Sequence, residues 1–146
     1  MAPPQMLADF PHEVLLDVLA KADTARLKAF AEPLIAQLDT IGVLENRTGL
    51  VMLPIQDTAQ GTNFHLGEVL VSEARITASG QEGYGMRRGR DLEAAMAMAL
   101  VDVAVAAGVA HADCATFIAS EQQAQQAADH ERLRRVEATR VDMETF

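Results

Sequence analysis

LGEVLVSEARITASGQEGYGMRRGRD, residues 66–91, reads as a strand, a tight turn, a second strand and the opening of a helix. Leu66 to Thr77 is strand-like, with Leu70 and Ile76 on one face and Val69, Val71 and Arg75 on the other. Ala78-Ser79-Gly80-Gln81 is a hairpin signal, so Glu82 to Met86 is expected to return antiparallel to the first strand. Gly89-Arg90-Asp91 then opens a helix, with Asp91 placed to cap it. An antiparallel pair leading directly into a helix is an α+β signature.

Upstream, Leu50-Val51-Met52-Leu53-Pro54-Ile55 is a continuous apolar run, predicted as a strand covered on both faces. Pro54, which has no N–H to donate, places it at an edge or a bulge. A turn-rich stretch from Gln56 to Asn63 links it to the next strand, with Gly61 as the expected positive-φ residue. Before it come two helices. Asp9 and Pro11 start the first, in which Val14, Leu15, Val18, Leu19 and Ala22 recur at helical spacing. Asp23 or Thr24 caps the second, whose apolar face is Leu27, Phe30, Leu34 and Leu38.

Downstream of Asp91, Leu92, Met96, Ala99, Leu100, Val103 and Ala107 form one stripe, while Ala94, Ala95, Ala97 and Val105 make the opposite side apolar as well. A helix apolar nearly all round is buried on several sides, which in so small a domain implies cover from a partner subunit. Gly108 ends it, and a last helix runs from Asp113 towards Thr139. Its middle, Glu121 to His130, is mostly Gln and Ala and is expected to project or to lie on another chain. The order αα–βββ–αα gives two N-terminal helices, a small antiparallel sheet and two C-terminal helices in one domain, residues 1–146.

Composition narrows function. The chain has 146 residues, 49% of them apolar and only 4% aromatic, and carries a net charge of −9. That length should bury roughly 70% of the unfolded surface without disulfide or metal. The acidic balance would repel a phosphate backbone, so no nucleic-acid partner is expected. The longest apolar stretch, Ala94 to Ala110, is interrupted by Asp102 and Gly108 and cannot span a core of about 30 Å, so no membrane span is expected. One cysteine, Cys114, and a start with no secretory pattern point to the cytoplasm.

No familiar catalytic constellation emerges. His12, His65, His111 and His130 lack zinc-ligand spacing, and there is no nucleophile elbow. His111-Ala-Asp113-Cys114 reads as a helix entry with a buried thiol rather than a metal site, and no metal or cofactor is called for. What stands out is Gly83-Tyr84-Gly85-Met86-Arg87-Arg88-Gly89-Arg90-Asp91. It mimics a dinucleotide-binding glycine turn, but its antiparallel context excludes that, and no phosphate-loop lysine follows. There remains a helix N-terminus with Arg87, Arg88 and Arg90 beside Gly89 and Asp91. It suits contact with a partner subunit's carboxylates, a phosphate or nucleotide ligand bound by a stand-alone module, or plain surface arginines, in that order of preference. Asp91 weakens the anion reading because its carboxylate neutralises part of the field it would cap.

Thr48-Gly49-Leu50-Val51-Met52, Gly61-Thr62-x-Phe64-x-Leu66-Gly67-Glu68-Val69, Gly83-Tyr84-x5-Gly89-Arg90-Asp91 and Ala99-Leu100-Val101-Asp102 occur in this order, with Val18-Leu19-Ala20 before them and Arg140-Val141-Asp142 after. Together they make the chain resemble the PhnG family of the phosphonate carbon–phosphorus lyase system. The resemblance implies an accessory subunit of an assembly that displaces adenine from ATP with an alkylphosphonate, giving a ribose 1-phosphonate 5-triphosphate. It implies companions of the I, H, J and L types, with the chemistry of that step on the nucleosidase-like I subunit and the later radical cleavage on the iron–sulfur J subunit. Independently of the resemblance, the isolated chain is expected to self-associate as a homo-oligomer, because exposed apolar patches above a few hundred Å² rarely stay unpaired. Leu92, Ala94 and Met96 stand where the family pattern is more polar, which leaves the start of that helix more apolar.

Overall fold

The computed structural model describes residues 10–56 and 63–144. Seven elements follow in the order α1 (His12–Lys21), α2 (Thr24–Gln37), β1 (Gly42–Gln56), β2 (Asn63–Ala78), β3 (Gln81–Arg88), α3 (Leu92–Ala107) and α4 (His111–Glu144). The αα–βββ–αα order and the α+β class are those read from the sequence.

The β2–β3 turn sits where the sequence puts it. Ser79 and Gly80 both take positive φ, 53° and 76°, as a two-residue hairpin of matching twist requires. From there the strands pair antiparallel, Ala78 with Gln81 through Val71 with Arg88, and β1 pairs on the far side of β2 to give the order β1-β2-β3. The turn at Gln56–Asn63, with Gly61, lies outside the described residues, as does Asp9 of the predicted first helix start. β3 stops opposite Val71, whereas β1 and β2 continue pairing to Gln56 and Asn63. The outer part of the β1–β2 pair is therefore a two-stranded ribbon that extends past the third strand.

α3 lies on the sheet, chiefly over β3 and β2, with α2, α1 and α4 on its other sides. It is buried from Ala94 to Val105 apart from Met96, which is half-buried. The contact is close because β3 has no side chains in the way. A Cβ on Gly83 would lie 2.4 Å from the Ala99 carbonyl oxygen, and one on Gly85 only 2.1 Å from that of Ala95. Glycine alternates at 83 and 85 on the strand, and Ala95, Ala99 and Val103 recur every four residues on the helix, so the two backbones nearly touch. Around this contact Leu15, Leu19, Leu27, Leu34, Ile76 and Ile118 complete the core.

Two expectations change. α3 is apolar all round because its own chain surrounds it, so its composition is not the mark of a partner. The run at Leu50 is not covered on both faces: Leu50 and Met52 are 62% and 51% exposed and Val51 is 37% exposed. These residues belong to the ribbon that continues past the end of β3. The edge position and the irregularity at Pro54 are as expected, with a register shift between Leu53 and Pro54.

The helix–glycine contact predicts an asymmetric response. Gly85→Ala should destabilise the fold by about 3 kcal/mol, the upper end of overpacking costs, because the obstacle is backbone. Gly49→Ala, where an added Cβ meets nothing within 4 Å, should change stability by less than about 0.5 kcal/mol. Urea unfolding followed by circular dichroism measures both.

Candidate functional site at the strand–helix junction

β3 ends and α3 begins at Arg87-Arg88-Gly89-Arg90-Asp91, and each residue is placed by a different force. Gly89 turns the chain with φ 99°, its N–H donating to Leu70 O at 2.8 Å while its carbonyl accepts from the buried Ser72 hydroxyl at 2.7 Å. Asp91 caps α3, its carboxylate accepting from Ala94 N–H at 3.0 Å. Lys28 of α2 sits 2.8 Å from Asp91 and 3.8 Å from Glu93. The Lys28 hydrogen bond, then the Ala94 N–H, hold the Asp91 carboxyl below the usual carboxylate range. The positive end of α3 is therefore already matched to a carboxylate of this chain, as the sequence reading anticipated.

The three arginines separate. Arg87 turns inward, donating to the carbonyls of Leu19 and, at 2.7 Å, Ala22, and to the Thr24 hydroxyl at 3.3 Å. Gln125 of α4 donates to Val18 O at 2.9 Å, so one cation and one amide bind carbonyls at the end of α1, beside the Ala22 N–H that Leu19 O also accepts. Burial pulls the Arg87 pKa below its ordinary value, with Asp91 and Asp23 opposing. Arg88 and Arg90 are exposed. Arg88 borders a groove of about 530 Å³ floored by Val51, Val69, Val71 and Met86, with Lys21 on its rim. An apolar floor edged by cations fits a protein segment carrying apolar and acidic side chains better than a bare polyphosphate.

Two further polar centres tie the helices together. Glu121 of α4, almost fully buried, accepts from Arg26 Nε at 2.7 Å and Nη2 at 3.1 Å, and that pairing lowers its pKa. Asp102, also buried, accepts from Tyr84 N–H at 2.9 Å and lies 2.8 Å from His12 Nε2. Burial raises the Asp102 pKa against these two contacts. Cys114 is buried, with its thiol pushed up to about 11 mainly by burial, which makes it a poor nucleophile. Among the described residues no three of His, Cys, Asp and Glu gather closely enough to hold a metal ion.

Sequence reasoning missed Lys28 as the partner of Asp91, Arg87 as the cap of α1, and Asp102 as the link between α1, α3 and β3. The Ala95-x3-Ala99-x3-Val103 spacing opposite Gly83-x-Gly85 was the one available signal, and it concerned packing, not binding.

The sequence matches the family of phosphonate metabolism protein PhnG over residues 12–146. The chain belongs to that family. No curated protein matches it closely enough to refine the assignment. A role in phosphonate metabolism follows, and none of the described helices is long and apolar enough to cross a membrane.

Two outcomes test the division of labour. Arg87→Ala should cost about 2–3 kcal/mol of stability, the scale for losing charged hydrogen bonds, whereas Arg88→Ala and Arg90→Ala should each stay within about 0.5 kcal/mol. For Glu121→Gln, the paired carboxyl has a depressed folded-state pKa, so its contribution is present above the unfolded value and fades as pH falls through the folded one. The stability gap between wild type and Glu121→Gln should be widest near neutrality and narrow in the acid range, by thermal melts across pH.

Proposed function

We infer that this chain is an accessory, non-catalytic subunit of the carbon–phosphorus lyase complex in the cytoplasm. It supports transfer of an alkylphosphonate onto ATP-derived ribose, with release of adenine and formation of a ribose 1-phosphonate 5-triphosphate. Companions of the I, H, J and L types surround it, and the I type carries the reacting groups.

The observation that supports this is where the chain leaves apolar side chains uncovered. Among the described residues nine large apolar side chains are exposed, and seven lie on the two elements that outrun the core: Val43, Leu44, Leu50, Val51 and Met52 on β1, Leu133 and Val136 on α4. Apolar surface concentrated on long projecting elements is the pattern of a subunit that docks. Arg88, exposed at the groove, and Arg90, exposed two residues further on, supply contacts for partner carboxylates.

Co-expression with the nucleosidase-like companion tests the reading. The two should co-purify, and Arg88→Glu with Arg90→Glu should weaken the association by about tenfold or more; failure of the wild-type pair to co-purify overturns it. If ATP instead raises the melting temperature of the isolated chain, and Arg88→Ala with Arg90→Ala abolishes the effect, a nucleotide-binding module replaces this reading. At 100 times the dissociation constant such a ligand would add about 2.7 kcal/mol.

A further inference from the structure

We propose that two copies of this chain associate through their β1 edges, antiparallel about a two-fold axis at Asn46, to form one continuous six-stranded sheet.

Among the described residues β1 pairs with β2 alone, so a 15-residue strand presents a free edge. Such an edge is a template for another strand unless something blocks it. Its charges select the partner. In the register of the sheet Glu45 stands opposite Arg75, and Arg47 opposite Glu73. Glu45 lies 3.8 Å from Arg75 and 4.0 Å from Arg47, and Arg75 continues to Glu82 at 3.5 Å.

A second copy running antiparallel with Asn46 opposite Asn46 places Glu45 against the second copy's Arg47, and the converse. One row across the joined sheet then reads Arg75, Glu45, Arg47, Glu73, alternating in sign through the two-fold. Cross-strand neighbours of opposite charge stabilise a sheet, and like charges directly opposite destabilise it. Sliding the centre to residue 45 sets Glu45 against itself, and sliding it to 47 sets Arg47 against itself. The pattern Glu45-Asn46-Arg47 is therefore self-complementary in one register, as an isologous contact requires.

The same register fits the rest of the strand. It pairs residues 42–50 of each copy, so Pro54 falls outside the paired stretch. The register shift between Val43 and Glu45 lies within it and confines the regular core of the contact to the charged centre. Leu44 comes opposite Thr48, and Val43 opposite Gly49. Opposed residues share a face, so both copies carry α3 on the same side. This association is separate from the docking of companions and stands or falls without it.

Asn46→Cys in a Cys114→Ser background tests the geometry. Antiparallel partners have Cα atoms about 4.5 or 5.5 Å apart, inside disulfide range. Mild oxidation should yield a covalent species of twice the 15.7 kDa chain, while Gly49→Cys, which faces residue 43 of the second copy, should yield none. Sedimentation of the wild type at micromolar concentrations should show a dimer. Glu45→Arg and Arg47→Glu, each checked for folding by circular dichroism, should sediment as monomers alone and as a dimer when mixed. A wild type that stays monomeric, a dimer that persists in both single variants, or cross-linking at 49 equal to that at 46 overturns the proposal.

Discussion

Between strand β3 and helix α3 there is no layer of side chains, and much of the architecture follows from that. The carbonyl oxygens of Ala95 and Ala99 lie where the first side-chain atoms of residues 85 and 83 would be. Helices usually stand off a sheet by the thickness of two interleaved side-chain layers. Here the separation is set by backbone, so α3 sinks into the fold and must be apolar on every face, since α2, α1 and α4 close over the sides the sheet leaves. The alanine-rich composition and the low aromatic content belong to this one constraint: large rings would hold the layers apart. Phe30 and Phe117, stacked parallel with centroids 4.3 Å apart, sit at the α2–α4 contact, away from the glycines.

A helix this apolar still carries one ionisable group, Asp102. Its carboxylate accepts the amide of Tyr84 on β3 and meets His12 at the start of α1, so one residue of α3 fastens a strand and a helix from elsewhere in the chain. The other inter-helix fastenings have the same character. Arg87 and Gln125 satisfy the carbonyls that end α1, Glu121 holds Arg26, and Asp91 holds Lys28. Each links elements that apolar contact alone would let slide, and each ties up a charge that would otherwise be available to a ligand. The basic segment thereby divides into one arginine that is part of the scaffold and two that face outward.

Element types and order were legible in the sequence because their signals are local. Ser79-Gly80 demands its turn, Asp91 and Asp23 cap the helices that follow, and Gly108 ends α3 in the left-handed conformation. Family membership was legible because it rests on motifs in order. What was not legible is long-range. Nothing near Arg87 announces that it caps a helix more than sixty residues earlier, and nothing near Leu50 announces that β3 stops short of it. The apolar run at 50–55 looked like a doubly covered strand because periodicity records how apolar a segment is and not what covers it. The same ambiguity, in the opposite sense, made α3 look like an interface when its own chain covers it.

These two reversals have a common consequence. Burial is nearly complete where the sequence suggested a partner and incomplete where it suggested a core, so the unfinished part of the molecule lies at its extremities. α4 shows this most plainly. Its 34 residues make a rod of about 51 Å, and every residue from Gln126 to Thr139 is exposed. Near-neighbour pairs such as Arg135 with Glu131 brace it over that length, and each such pair contributes a few tenths of a kcal/mol. A two-stranded ribbon is similarly marginal in water without a third strand or a packed face. A body closed by backbone-to-backbone packing does not need these projections for its own core. Their exposed Leu50, Met52, Leu133 and Val136 therefore make physical sense as surfaces whose burial is supplied by other chains.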